Sequence, residues 1–218
     1  VFPELTLSGY PPEDLLLRPS IELRVERALE QIHAAMADSN AYAVLGYPRK
    51  DGDQLYNVAA VLHRGEILAE YRKQSLPNYQ VFDERRYFTA GADKCTVEIA
   101  GLTLGFSICE DIWGPDVVEC LAETGAEILL VPNGSPFEDD KVDTRLNHVV
   151  GRVTESELPL VYLNQVGGQD ELVFDGGSFV INADRSVAVQ MPEFESALVL
   201  TTWNRSPDGW VCEKGPDA

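Results

Sequence analysis

The chain has 218 residues, 44% of them hydrophobic, with 36 acidic against 17 basic residues and a formal charge of −19. A chain of this length can bury on the order of 70% of its unfolded surface, so one globular domain is expected. The charge argues against nucleic acid or an anionic membrane as partner, because phosphate groups would be repelled. No apolar run approaches the ~20 residues of a membrane span.

The four cysteines, at 95, 109, 120 and 212, show neither a CxxC pair nor zinc-ligand spacing. We therefore expect no disulfide and no metal, in keeping with a reducing cytoplasm. The chain opens on VFPEL, without a basic and apolar leader.

The first half of the chain predicts one helix followed by hairpins. A helix with Ser20 as N-cap is predicted to extend to Met36, because apolar residues recur at helical spacing. A strand at 42–45 leads to a turn at Asp51-Gly52. Two hairpins follow, 58–62 with 66–71 around Arg64-Gly65, and 96–99 with 102–108 around Ala100-Gly101.

The second half alternates helices and strands. Helices are predicted at 117–122 and 141–156, the second with an apolar face formed by Val142, Leu146, Val149, Val150 and Val153. The expected strands are 128–131, 160–164, 172–175, 178–182, 187–190 and 198–203. Strands that alternate with helices and also form hairpins predict an α/β fold with mixed sheets covered by helices.

Cys109 ends the apolar run 102–108, where a helix is expected to begin. A strand end would fix the backbone of this thiol, and helix-opening N–H groups would favour the thiolate, as a nucleophile requires. A cysteine here can equally be a small buried hydrophobe. Glu110 and Asp111 would orient this turn or cap the helix, without a catalytic role.

Glu4 and Lys73 are placed in the same way, after an apolar stub and after the predicted strand 67–71. A carboxylate can act as general base toward a thiol or water, and an ammonium can stabilise an oxyanion. We therefore expect Glu4, Lys73 and Cys109 to converge. A cysteine–histidine pair stays an open alternative, although no histidine lies in a motif.

Three segments carry a resemblance to a known family: FPELTLSGYPPEDLL, YRKQSLPNYQVFDERRYFTAG and GFSICEDIWGPD. In content and order they resemble the Glu–Lys–Cys motifs of the nitrilase (carbon–nitrogen hydrolase) superfamily. The pieces SGYPPEDLL, LPNYQVFDERRYF, NGSPF and NQVGGQDELVFDGGSF narrow the resemblance to the glutaminase domain of glutamine-dependent NAD synthetases. It extends from Val1 to about Trp203.

The resemblance implies a four-layer α-β-β-α sandwich with two mixed sheets, whose first strand and helix would be missing from this chain. A glutaminase domain is expected over 1–205, and a polar tail or linker over 206–218 toward an absent ATP-dependent synthetase domain. No SGGxDS-type loop of that second domain occurs in the chain. No cofactor is expected in the glutaminase domain, and ATP and magnesium only in the absent one.

Six further residues match positions within these motifs and are expected to bind substrate: Tyr10, Tyr79, Glu84, Trp113, Ser135 and Lys141. Lys141 would pair the α-carboxylate of free glutamine and Glu84 its α-ammonium. Tyr79 and Ser135 would add neutral hydrogen bonds, and Trp113 would close the pocket.

Four of these residues have an ordinary alternative. Tyr10 and Tyr79 would be half-buried packing, Lys141 a solvated charge at a helix start, and Glu84 a surface ion-pair partner. Glu84 is also the candidate for the second glutamate that the family uses near its lysine.

The implied reaction is hydrolysis of the glutamine side-chain amide through a Cys109 thioester. Ammonia would pass to the synthetase domain for amidation of nicotinate adenine dinucleotide to NAD, in a cytoplasmic homo-oligomer. A stand-alone nitrilase-type amidase or carbamoylase shares the triad and differs in its pocket. A catalytically dead assembly domain is the third possibility, against which the intact triad weighs.

Overall fold

The computed structural model describes residues 1–93, 96–139 and 141–215, which form two compact units. Unit 1 is Val1–Asp93, and unit 2 comprises the described residues from 96 onward. Each unit combines sheet and helix, so the predicted α/β class is confirmed. No helix in the described part of the chain is long and apolar enough to cross a membrane.

Unit 1 contains a three-stranded sheet and one long helix. Its elements are α1 (Pro19–Met36), β1 (Tyr42–Asp51), β2 (Gln54–His63) and β3 (Glu66–Arg72). The strands are antiparallel in the order β1-β2-β3. A mixed sheet had been predicted, whereas this sheet is antiparallel throughout. Its two-residue connections can join only antiparallel neighbours.

The predicted hairpin turn at Arg64-Gly65 is confirmed, with φ of 49° and 77° at the two residues, as a type I′ turn requires. The predicted N-cap Ser20 is wrong. The helix α1 begins at Pro19 with Arg18 as N-cap, because proline suits the first helical position.

The predicted apolar face of α1 packs on β1 and β2. Val25 is buried against Leu45, Tyr47, Val58 and Leu62 of the sheet. The partly buried side chains of Leu29, Ile32 and Met36 surround this cluster.

Unit 2 contains a six-stranded mixed sheet, two helices and two separate hairpins. In chain order its elements are β4 (Thr96–Ile99), β5 (Leu102–Phe106), α2 (Asp116–Glu123), β6 (Ile128–Asn133), α3 (Lys141–Ser156), β7 (Leu160–Asn164), β8 (Val166–Gln169), β9 (Leu172–Asp175), β10 (Phe179–Ile181), β11 (Val187–Gln190), β12 (Trp203–Ser206) and β13 (Gly209–Cys212). The sheet order is β11-β10-β7-β6-β5-β4, while β8 pairs with β9 and β12 with β13.

Three central strands of this sheet, β5, β6 and β7, are parallel, so their carboxyl ends lie at one edge. The strand β10 is antiparallel to β7 and begins at that same edge. Active sites of α/β sheets are commonly built at the carboxyl ends of parallel strands. The segments that follow β5, β6 and β7 are therefore the functional edge of unit 2.

One strand prediction near the C-terminus is wrong. The predicted strand 198–203 does not form: Leu198 and Leu200 are each 94% exposed, and an apolar run without a pairing strand has little to stabilise it. The segment from 206, expected to be a polar tail or linker, contains β13, whose Cys212 is buried against Val180 and Val189; its role as a linker stays a prediction. Residues 216–218 of that tail lie outside the described residues.

Candidate active site

Unit 1 holds a buried charged cluster around Lys73. The Nζ atom of Lys73 donates to Oε1 of Glu4 at 2.8 Å and to Oε1 of Glu84 at 2.8 Å. All three side chains are buried, with Glu84 the most accessible at 5%. Charges taken from water are tolerated only when they are paired, and here one ammonium serves two carboxylates. The structure thus brings together three residues that the sequence singled out.

Two neutral donors complete the cluster. The Tyr10 hydroxyl donates to Oε1 of Glu84 at 2.7 Å, and Nδ2 of Asn57 donates to Oε1 of Glu4 at 2.7 Å. Tyr10 is fully buried rather than half-buried, so its hydroxyl organises Glu84, and its predicted contact with substrate stays a prediction. Sequence reasoning missed Asn57, which lies inside an apolar strand without a motif of its own.

The pKa of Glu84 is raised to about 7. Burial is the largest cause, the positive charge of Lys73 opposes it, and the negative charge of Glu4 adds to it. Oε2 of Glu84 is buried and has no hydrogen-bond partner among the described residues. A carboxyl that is half protonated near neutral pH is suited to giving and taking protons. The alternative of Glu84 as a surface ion-pair partner is excluded.

A close backbone approach positions Glu4. Residues 1–8 cross β1, where Phe2 N donates to Val44 O at 2.9 Å and Leu7 N to Gly46 O at 3.1 Å. A Cβ at Gly46 would lie 2.3 Å from Leu5 N and 2.9 Å from Pro3 O, so only glycine fits beneath the Glu4 backbone. The prediction that Glu4 lies at the end of a strand is wrong, because Glu4 lies in a turn.

Lys73 follows β3 directly, which confirms its predicted place. Its backbone is fixed on both sides, with Lys73 N donating to Asn57 O at 2.9 Å and Gly91 N donating to Lys73 O at 2.8 Å.

Cys109 follows β5 at the functional edge of unit 2. It is buried and adopts a left-handed φ of 47°, which costs a residue other than glycine about 1–2 kcal/mol. Such strain in a thiol at a strand end points to a functional constraint. The helix expected after Cys109 is only a 3₁₀ turn, Cys109–Ile112, and the next α-helix starts at Asp116.

Asp111 caps this turn, because its Oδ2 accepts the Ile108 N–H at 2.9 Å and its own N–H donates to Ile108 O at 3.0 Å. The capping alternative is therefore correct for Asp111. Of the other cysteines, Cys120 and Cys212 have free thiols, and Cys95 lies outside the described residues.

Trp113 lies between two basic residues of α3. Its ring stacks on the His148 ring at a centroid distance of 4.3 Å, and Nζ of Lys141 is 5.3 Å from the Trp113 ring centroid. The pKa of His148 is lowered by burial and by the charges of Arg152 and Lys141, which favours the neutral form of this ring. Sequence reasoning gave His148 no role, because its partner Trp113 is 35 positions away in the chain.

Lys141 is the first residue of α3 and only 6% exposed, so it is not a solvated charge. Its Nζ contacts Oε1 of Glu138 at 3.0 Å. Tyr79, in contrast, is 39% exposed and packs edge-on against Phe82 in unit 1.

Ser135 follows β6 and is held by charged and amide groups. Its Oγ accepts from Nε of Arg145 at 3.0 Å, and its N–H donates to Oδ1 of Asn164 at 2.9 Å. The predicted face of α3 is partly wrong, since Arg145 is buried and Val142 is 42% exposed. A charged residue is buried there because Asp175 pairs with it, at 2.6 Å between Nη1 and Oδ2.

The fold of the chain is that of a carbon–nitrogen hydrolase. The model of that family matches residues 1–206, and the chain belongs to the carbon–nitrogen hydrolase family.

Its sequence is similar to glutamine-dependent NAD(+) synthetases. It is 49% identical over 189 residues to that of Xanthomonas campestris pv. campestris (strain 8004), covering 86% of this chain and 34% of that protein. It is 43% identical over 208 residues to that of Rhodobacter capsulatus, covering 95% and 38%. The chain spans 34% to 40% of the length of eight such curated relatives.

Solved structures give the same relationship. The glutamine-dependent NAD+ synthetase from Acinetobacter baumannii, in complex with adenosine diphosphate, has a TM-score of 0.91 at 40% identity, covering 100% of this chain and 41% of that chain. A variant of the amidase from Nesterenkonia sp. AN1 has a TM-score of 0.78 at 26% identity, covering 88% and 72%. That amidase shows covalent addition of the acetamide moiety of fluoroacetamide at its active-site cysteine.

Proposed function

We propose that this chain is the glutaminase part of a glutamine-dependent NAD synthetase. The observation that carries the proposal is the buried Glu4–Lys73–Glu84 cluster, in which one ammonium bridges two carboxylates at 2.8 Å. A buried cluster of charged side chains is an unfavourable way to stabilise a fold, because its groups must be removed from water. Acid–base catalysis is the role that fits such a cluster.

In the proposed reaction, the Cys109 sulfur attacks the amide carbon of glutamine, and Glu4 takes the thiol proton. Lys73 and a backbone N–H near Cys109 stabilise the oxyanion. Glu4 returns the proton to the leaving nitrogen, so the carbon–nitrogen bond breaks and ammonia departs. Water, deprotonated by Glu4, then attacks the thioester, releasing glutamate and restoring the thiol.

Glu84 has a different part in this scheme. We assign its Oε1 to hold Lys73, because this oxygen accepts from Lys73 and Tyr10; the pairing of Glu84 with the substrate's α-ammonium stays a prediction. Its raised pKa lets it share the proton changes of the cluster.

Recognition of glutamine is assigned mainly to residues of unit 2. Lys141 pairs the α-carboxylate, with Ser135 and Trp113 shaping the pocket and Tyr10 and Tyr79 adding hydroxyl contacts. Lys141 is suited to this because it is nearly buried, where an ammonium interacts more strongly than at the surface.

We further propose that the ammonia feeds an ATP- and magnesium-dependent synthetase domain of the same protein, which amidates nicotinate adenine dinucleotide to NAD. The share of its relatives that this chain covers, 34% to 41%, supports such a division. In this proposal the complete protein is a homo-oligomer in a reducing cytoplasm.

A stand-alone amidase is the second candidate. Lys141 already has a carboxylate partner, Glu138 at 3.0 Å, which favours a pocket without a free cation for a substrate carboxylate. Activity on short aliphatic amides that exceeds activity on glutamine would support this candidate.

Covalent trapping tests the proposal. An electrophilic glutamine analogue should label the wild-type protein once, on the peptide that contains Cys109, and glutamine should protect against labelling. Cys109→Ala should abolish the mass shift, while Cys120→Ala, which removes a thiol of the same unit, should leave it intact. Labelling that persists in Cys109→Ala would remove Cys109 as the nucleophile.

A further inference from the structure

The most extensively bonded buried ion pair of unit 2 lies outside the predicted catalytic residues. Arg145 of α3 and Asp175 at the end of β9 form a bidentate pair, Nη1 to Oδ2 at 2.6 Å and Nη2 to Oδ1 at 2.9 Å. The side chains are 3% and 0% exposed. Planar, bidentate pairs of this kind fix orientation as well as charge.

The rest of the guanidinium is directed at the segment that follows β6. Nε of Arg145 donates to Ser135 Oγ at 3.0 Å, and Nη2 donates to Ser135 O at 2.8 Å and to Pro136 O at 2.9 Å. One side chain thus joins the start of α3, the end of β9 and the loop after β6.

Asn164, at the end of β7, holds the same loop from its other side. Its Oδ1 accepts Ser135 N–H at 2.9 Å, and its Nδ2 donates to Ser135 O at 3.0 Å and to Gly176 O at 3.1 Å. The carbonyl of Ser135 therefore accepts from both Arg145 and Asn164. A loop whose peptide groups are hydrogen-bonded from two sides is held in one position. Precise contacts with a substrate require such a fixed position.

The same pair fixes the helix that carries Lys141. Arg145 is one helical turn after Lys141, on the same face of α3, and Lys141 lies 5.3 Å from the ring of Trp113. The loop follows β6 and Cys109 follows β5, which are neighbouring parallel strands whose carboxyl ends share one edge. The Arg145–Asp175 pair therefore sets the positions of Ser135 and Lys141 relative to this edge of the sheet.

We infer that Arg145 and Asp175 are positioning residues that set selectivity for an amide bearing an α-carboxylate, by holding Ser135 and Lys141 in place. The inference rests on the proposed glutaminase function and deepens it. Arg145 and Asp175 have no contact with the reacting amide in this scheme. Their loss is expressed in the binding of glutamine, not in the chemistry of amide cleavage.

The test compares glutamine with propionamide, an amide without an α-carboxylate, in the complete protein that carries this chain. Asp175→Asn keeps the shape of the side chain and removes its charge. It should lower kcat/KM for glutamine tenfold or more, mainly through KM, and change kcat/KM for propionamide less than twofold. Arg205→Met, which removes an exposed ion pair with Glu127 in the same unit, is the matched control and should alter neither value.

A second variant separates positioning from stability, since an unpaired buried arginine can prevent folding. The double substitution Arg145→Met and Asp175→Leu replaces the pair by apolar groups, a change that buried ion pairs often tolerate without loss of stability. It should have a Tm near that of wild type and yet show the same loss of glutamine selectivity.

An unchanged selectivity ratio in the folded double variant, or equal losses on both substrates, would overturn the positioning role. Wild-type protein that fails to hydrolyse glutamine at all would instead overturn the proposed function. The two failures are thus distinguished by the wild-type measurement alone.

Discussion

Lys73 is buried between the carboxylates of Glu4 and Glu84. Because the two carboxylates share one ammonium, a proton added to Glu84 changes the balance of charge around Lys73. The site therefore contains a proton reservoir next to its cation. This property has a measurable consequence for stability.

Glu84→Gln should flatten the pH dependence of stability. The folded pKa of Glu84 is about 7, above its ordinary value of 4.5, so the folded state binds more protons than the unfolded state between these values. Stability from this carboxyl is complete below pH 4.5 and is lost as pH rises through 7. Urea unfolding from pH 5 to 8 should show a falling wild-type stability with a shallower slope in the variant.

The matched control is Asp83→Asn, which neutralises the preceding carboxylate, an exposed one. It should keep the wild-type slope. Equal slopes for Glu84→Gln and wild type would contradict the raised pKa.

Lys141→Ala should separate a glutaminase from a general amidase. If Lys141 pairs the α-carboxylate, its removal deletes a charge-assisted bond worth roughly 1.5–3 kcal/mol. That is about a tenfold to hundredfold loss in kcat/KM for glutamine, with little change for an aliphatic amide. Lys50→Ala, at an exposed ion pair with Glu22, is the control. An unchanged ratio would return the stand-alone amidase as the better account.

Among the elements, the segment that carries Glu4 depends on a single glycine of β1. The backbone of residues 3–5 lies so close to Gly46 that a methyl group has no room, with Leu5 N only 2.3 Å from the position of a Cβ. The carboxylate of Glu4 is therefore placed by backbone contact with the sheet rather than by a strand of its own.

Gly46→Ala should displace this segment and lower both stability and glutamine hydrolysis. Gly151→Ala, in α3 where nothing lies within 4 Å of an added Cβ, should stabilise the protein by about 0.5–1 kcal/mol, as alanine does in helices. Thermal unfolding with a parallel activity assay measures both effects. Wild-type activity and stability in Gly46→Ala would show that the segment is not held in this way.

The elements that the sequence predicted well are those with local signals. The hairpin at Arg64-Gly65 and the helix Lys141–Ser156 follow from turn residues and apolar spacing within each segment. The strand expected at 198–203 failed because strand formation depends on a neighbouring strand, which composition does not reveal.

The site residues show the same difference between local and long-range signals. Glu4, Lys73 and Cys109 were predicted from motifs, and Lys73 was found bonded to Glu4 as such a set requires. Arg145 was missed because its burial depends on Asp175, which lies 30 positions away in a different element. The spacing of apolar residues within α3 gives no information about an ion-pair partner in a different element. The meeting of Cys109 with Glu4 and Lys73 stays a prediction.

Considered as one molecule, the protein is strongly acidic, and yet three of its cations are buried, Lys73 in unit 1 and Lys141 and Arg145 in unit 2. Lys73, Lys141 and Arg145 are each less than 10% exposed, in a chain with 17 basic and 36 acidic residues. Each of these cations is paired with a carboxylate of its own unit, as buried charges require, while most acidic residues provide a solvated surface.

The proposed division of labour assigns glutamine hydrolysis to this chain and ATP-dependent amidation to another part of the protein. It predicts that Cys109→Ala abolishes NAD formation driven by glutamine and leaves NAD formation driven by ammonium salts within about twofold of wild type. Cys120→Ala should leave both rates unchanged. Rates of NAD formation with each nitrogen source in the complete protein decide the matter: continued use of glutamine by Cys109→Ala, or loss of both activities in a folded variant, would contradict the account.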